Sequence, residues 1–126
     1  MVGIKLDMVG IVVNDMKISL EFYRTLGFDI PLQADLEQHV EIEQDGVRFA
    51  FDTVEIAKMV YGELLTPVGH RVELAFKCNN AEELNKLYNK IVENGYEIHR
   101  EPWDAFWGQR YAVIVDPDGN LVSLFA

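Results

Sequence analysis

The sequence predicts an α+β fold in which two βαβββ modules form a curled mixed sheet around a cup-shaped cavity, with the helices packed outside. Three observations predict it. A strand-like run, an amphipathic helix and three further strand-like runs follow one another in that order twice along the 126 residues. Each helical pattern ends at a glycine, Gly27 and then Gly95, and the last two strands of each copy meet at a turn glycine, Gly46 and then Gly119. Both pairs of glycines recur at nearly the same interval, so one supersecondary unit is repeated with a small insertion, and two copies can cover each other's apolar faces.

Residues 5–13 alternate loosely and are rich in Val and Ile, the pattern of a strand. Asn14 or Asp15 can cap the helix that follows, on which Met16, Leu20, Tyr23 and Leu26 fall at helical spacing. Beyond Gly27, residues 28–32 resume as a strand and residues 40–44 form the next. Asp45-Gly46 then supplies the positive φ of a tight reversal into residues 47–52. Residues 54–65 fit a short helix through Ile56, Met59 and Val60, or a connection marked by Gly62 and Thr66-Pro67. Either way they link the halves, which places a first module at about 4–53, the link at 54–69 and a second module at 70–126, all in a single domain.

The second module opens with a strand over residues 71–78. Asn80, with Glu83 three residues on, resembles a capping box, and Leu84, Leu87, Tyr88, Ile91 and Val92 form the apolar stripe of the helix it starts. Three strands follow, over residues 96–100, 109–116 and 120–125. The last two are joined through Pro117-Asp118-Gly119, where proline presets φ and glycine provides the reversal.

Composition narrows the classes of function. Apolar residues make up 49% of the chain, enough for an interior, while a formal net charge of −10 repels phosphate backbones and anionic lipid. Nucleic acid and membrane are therefore not expected partners, and no window approaches the ~20 apolar residues of a membrane span. Nor does the N-terminus carry an apolar core of signal-peptide type, so a cytoplasmic location is expected. Cys78 has no second cysteine to pair with and is expected to be a buried, inert thiol.

A strand ending in Asp116-Pro117-Asp118-Gly119-Asn120, followed by an alternating apolar strand, resembles the close of a vicinal oxygen chelate domain. That superfamily includes glyoxalase I, the extradiol dioxygenases and the bleomycin resistance proteins. Trp107-Gly108-Gln109-Arg110-Tyr111 is similar to the resistance-like members in particular, and the order of elements carries the resemblance over nearly the whole chain. In metal-dependent members the resemblance implies a divalent ion held by four side chains on the cavity face. The matching positions here are Met8, Asp52, Glu73 and Ser123. A thioether is too soft and a neutral hydroxyl too weak for such an ion, so neither metal nor other cofactor is expected. The alternative set is Asp52, Glu73 and His70, with His70 brought onto the face of Glu73 by a bulge. His39 and His99 lie in other strands at no ligand-like spacing and are expected to be exposed or satisfied. Ser123 sits within a strand rather than on a nucleophile elbow, and no catalytic residue is assigned.

Side-chain parity describes a pocket instead. Arg48, Ala50 and Asp52 share one face, as do Arg71, Glu73, Ala75 and Lys77, with Val47, Phe49, Phe51, Val72, Leu74 and Phe76 opposite. Such a face is either a solvated surface or the polar floor of a cleft. Asp52 and Glu73 either pair with Arg48 and Arg71 or remain open to a ligand cation. The loop over residues 101–108 carries Trp103, Phe106 and Trp107 around Asp104, suited to a lid, a dimer contact or the stacking of a flat or cationic molecule. Bleomycin resistance proteins bind a cationic, planar-tailed antibiotic between two subunits without chemistry. The resemblance thus implies a homodimer that binds a small cationic or aromatic compound through Met8, Arg48, Asp52, Glu73, Trp103, Phe106, Trp107 and Ser123. A divalent-metal lyase, isomerase or dioxygenase is the alternative.

Overall fold

The computed structural model describes residues 3–64 and 66–126. The α+β expectation holds: the described residues contain α-helices and two mixed sheets. They divide into two compact units, one made of the chain up to Arg24 with Phe28–Thr66, the other of Thr25–Gly27 with Pro67–Ala126.

The first unit contains β1 (Met8–Val13), α1 (Met16–Leu26) as far as Arg24, β2 (His39–Gln44), β3 (Val47–Thr53) and α2 (Val54–Tyr61). Its sheet has the order β1-β3-β2, with β1 parallel and β2 antiparallel to β3. Asp15 caps α1, its Oδ1 accepting the Ile18 amide at 3.0 Å. Met16, Leu20 and Tyr23 are buried on the helix, and the Tyr23 ring lies 5.1 Å from Phe51 and 5.6 Å from Phe28. Asp45 and Gly46 both have positive φ, 48° and 87°, as a two-residue type I′ reversal demands. That turn fixes the register, setting Gln44 opposite Val47 and His39 opposite Asp52.

Residues 28–32 are not a strand. The Phe28 amide is taken by the Tyr23 carbonyl at 3.0 Å, Pro31 has no N–H, and the Arg24 guanidinium takes the carbonyls of Ile30 and Pro31, both at 2.9 Å. With its donors and acceptors so committed, the segment has little left for a ladder, and a 3-10 turn over Leu32–Leu36 follows. The link resolves in favour of a helix: Thr53 caps α2, and Gly62 closes it with φ 86°. Strand β1 is also shorter than expected, because its first residue, Met8, already lies opposite Arg48, next to the start of β3.

The second unit contains β4 (Leu74–Lys77), α3 (Ala81–Glu93), β5 (Ile98–Asp104), β6 (Arg110–Val115) and β7 (Leu121–Phe125). Its sheet order is β4-β7-β6-β5, with β4 parallel to β7. The order β1-β3-β2 thus recurs as β4-β7-β6, which places the duplication in the hydrogen bonding itself. Among the described strands, β5 is the one without a counterpart. Asn80 caps α3 by accepting the Glu83 amide at 2.8 Å, and Leu84 and Ile91 are fully buried on the helix, which lies against β5, β6 and β7. Ala112, Ile114, Val122 and Leu124, also fully buried, form the apolar face of the sheet.

Strand β4 starts at Leu74 rather than at residue 71: its pairing begins with Leu74 opposite Val122, and residues 71 and 72 run past Leu121, where β7 begins. Conversely, β5 runs on to Asp104 and absorbs half of the expected aromatic loop. Cys78 is partly buried, and burial, then Glu83, raises its thiol pKa, so the unreactive protonated form is favoured.

Candidate functional site

Directly opposed residues of a sheet share a face. In the second unit this aligns Ala75 with Ser123, Ser123 with Val113, Phe125 with Tyr111 and Tyr111 with Trp103. The face therefore runs from a polar end at β4 to an aromatic end at β5. At the polar end the buried Ser123 hydroxyl donates to Glu73 Oε2 at 2.9 Å, and the Tyr111 hydroxyl stands 3.5 Å from Glu73 Oε1. At the aromatic end the Tyr111 ring stacks on Phe125 at 6.1 Å and lies 5.5 Å from Trp103 and 5.7 Å from Trp107. Trp107 meets Phe106 edge-on at 5.0 Å, and those two rings are 50% and 96% exposed. Tyr111 thus joins a carboxylate at its hydroxyl to an aromatic wall at its ring.

Strand β5 brings a cation to that wall through irregular pairing. Residues three apart in an unbroken strand point to opposite faces. Shifts of register between Ile98 and Arg100 and between Arg100 and Trp103 put both Arg100 and Trp103 on the face of Val113 and Tyr111. The Arg100 guanidinium carbon then sits 3.5 Å from the Trp103 ring centroid. Next to Glu73, residues His70, Arg71, Val72, Glu73 and Leu121 line a hollow of about 210 Å³. His70 steadies its rim, Nε2 donating to the Gly119 carbonyl at 2.9 Å.

The first unit carries a different polar face. Its hairpin register puts His39 beside Asp52 and Glu43 beside Arg48. Asp52 binds His39 Nδ1, His39 Nε2 meets Glu41 at 2.8 Å, Glu41 accepts from Arg48 at 2.6 Å, and Arg48 also holds Asp7. The hydrogen bond to Asp52, then that to Glu41, raises the His39 pKa above its ordinary 6.5. His39, then Arg48, lowers that of Glu41 below its ordinary 4.5. The His39 contribution to stability is complete below pH 6.5 and is lost as pH climbs through the raised value. The Glu41 contribution is present above pH 4.5 and is lost as pH falls through the lowered value. Melting temperatures of wild type and His39→Gln should therefore differ most between these two values and converge in alkaline buffer. The difference should be small and shrink with salt, since exposed ion pairs are screened. A gap that widens above neutral pH contradicts the ladder.

A family model describing the glyoxalase/bleomycin resistance protein/dioxygenase superfamily matches residues 5–124. The chain belongs to this superfamily. It is 26% identical over 124 residues to the uncharacterized protein YraH of Bacillus subtilis (strain 168), covering 96% of this chain and 97% of that protein. A family enzyme from Burkholderia phytofirmans PsJN superposes with a TM-score of 0.83 at 19% identity, covering 97% of this chain and 98% of that one. A lactoylglutathione lyase from Agrobacterium tumefaciens superposes with a TM-score of 0.65 at 14% identity, covering 96% and 92%. The superfamily fold is thus shared with proteins named as enzymes.

Within this superfamily the four positions that the resemblance assigns to a divalent ion hold a donor set that does not fit one. Asp52 is bound to His39, the Ser123 hydroxyl donates a hydrogen bond to Glu73, and Met8 presents a thioether beside Arg48. His70, the alternative ligand, lies ahead of β4 with its Nε2 on Gly119. Among the described residues, no three His, Cys, Asp or Glu side chains are placed to hold an ion.

The structure brings Glu73, Ser123, Trp103, Phe106 and Trp107 together in the second unit. Met8, Arg48 and Asp52 lie on the first sheet, where Arg48 pairs with Asp7 and Glu41 rather than with Asp52. His39 is satisfied, as expected, and His99 is exposed. Sequence reasoning missed Tyr111, Arg100 and Phe125. Two signals were present: the Asp116–Asn120 turn sets the register that opposes Tyr111 to Phe125, and Pro102 marks the irregular edge strand that turns Arg100 towards Trp103. No helix among the described residues is long and apolar enough to cross a membrane.

Proposed function

We propose that this superfamily member binds a small cationic or aromatic compound on the Glu73–Tyr111–Trp103 face, acting by sequestration rather than by chemistry and as a homodimer. One observation carries the reading: the Tyr111 side chain links a carboxylate to a wall of Trp103, Trp107 and Phe125 within a single sheet face. A flat ring gains by stacking on such a wall, and a cationic group on it gains from Glu73 as well. Further support comes from the net charge of −10, which draws cations to the surface. Met8, Arg48 and Asp52, on the other sheet, are not needed for this reading.

Calorimetric titration with cationic aromatic compounds, a bleomycin-type antibiotic among them, should give saturable heat for at least one. A flat trace for all of them overturns the proposal. Elemental analysis of protein purified without chelators addresses the metal-dependent alternative, since a stoichiometric transition metal would reverse the preference for sequestration.

A further inference from the structure

The hollow beside Glu73 is also lined by a charge of the opposite sign, Arg71, which no described residue pairs. Among the described residues, Arg24 is bound to Asp35, Arg48 to Asp7 and Glu41, Arg100 lies over Trp103, and Arg110 is bound to Asn85 and Asp104. Among the described residues Arg71 meets no hydrogen-bond, ion-pair or ring partner, although it lines the same hollow as Glu73. Glu73 in turn takes the Ser123 hydroxyl rather than Arg71. At about 210 Å³ the hollow is smaller than the ~300 Å³ at which pockets begin to hold drug-sized molecules, so it suits an end group.

The geometry points to an amphoteric aromatic ligand whose ammonium group meets Glu73, whose carboxylate meets Arg71, and whose ring rests on the Tyr111, Trp103 and Trp107 wall. This rests on the reading of the face as a ligand site and narrows its ligand class. A simple anion is the weaker candidate, because it would approach a chain of net charge −10 and sit beside the Glu73 carboxylate. A ligand that carries its own cation cancels that repulsion. Arg71 provides the planar fork that a carboxylate fits in two parallel hydrogen bonds.

Phenylalanine, phenethylamine and 3-phenylpropionate differ only in which charged groups they carry. Calorimetry on the intact protein should show phenylalanine binding about tenfold more tightly than either of the others, and Arg71→Gln should remove that advantage while leaving phenethylamine within about twofold. Arg71→Lys, which keeps the charge without the fork, should fall between the two. Arg71 is exposed, so neither substitution threatens folding. Equal affinities for phenylalanine and phenethylamine, or a phenylalanine affinity unchanged in Arg71→Gln, overturn the inference and leave the cationic-aromatic reading standing. Absence of heat with phenethylamine and with the wider cationic panel overturns both.

Discussion

Replacing Asp116 with alanine is expected to destabilise the protein by about 3 kcal/mol. The side chain is only 3% exposed. Its Oδ1 accepts the amides of Asp118 and Asn120, both at 2.9 Å, and its Oδ2 accepts Asn120 Nδ2 at 2.8 Å. Backbone bonds close the same turn, from Asp116 N to the Asn120 carbonyl and from Gly119 N to the Asp116 carbonyl. Alanine removes a charged acceptor and strands two partly buried amides, each of which costs roughly 1–3 kcal/mol when left unmade. Asp116→Asn keeps one oxygen and should lose only about 1 kcal/mol, which separates hydrogen bonding from the space the side chain fills. Urea denaturation at unchanged slope is the measurement, and a midpoint for Asp116→Ala matching wild type would show that the backbone bonds alone hold the turn.

The same turn controls the site. It sets the register of β6 on β7, which aligns Tyr111 with Phe125 and Val113 with Ser123, and its Gly119 carbonyl anchors His70. Loosening it should therefore weaken ligand binding even though Asp116 lies outside the proposed contacts.

Features whose cause is local were legible in the sequence. Asp45-Gly46 demands positive φ at two successive residues and so dictates a hairpin, and Asn80 and Glu83 announce a helix start wherever they occur before an apolar stripe. Parity along β3 and β7 followed from the same hairpins. Residues 28–32 were illegible because the group that ends their strand character, the Arg24 guanidinium, acts from the preceding helix, and apolar alternation does not record which carbonyls it takes. The ladder through His39 lay between these cases. The two-residue turn already opposes His39 to Asp52, but spacing along a single strand conceals a partner across the hairpin. Arg71 presents the converse: its charge is plain in the sequence, whereas the fold decides that Glu73 takes Ser123 and Tyr111 contacts in its place.

Trp103→Ala should weaken binding of a cationic aromatic compound about thirtyfold, a loss of roughly 2 kcal/mol typical of an aromatic anchor at the centre of a contact. Trp103 touches Tyr111 at 5.5 Å and Trp107 at 6.4 Å and carries the Arg100 guanidinium on its face, so its removal opens the middle of the wall. Trp103→Phe restores a smaller ring and should recover most of the affinity. Arg100→Ala makes the sharper companion, because a ligand cation has to displace the Arg100 guanidinium to reach the Trp103 face. If Trp103 is a ligand contact, Arg100→Ala should strengthen the binding that Trp103→Ala weakens. A purely structural wall predicts that both substitutions weaken binding together, and thermal melts run beside the titrations would show the shared loss of stability.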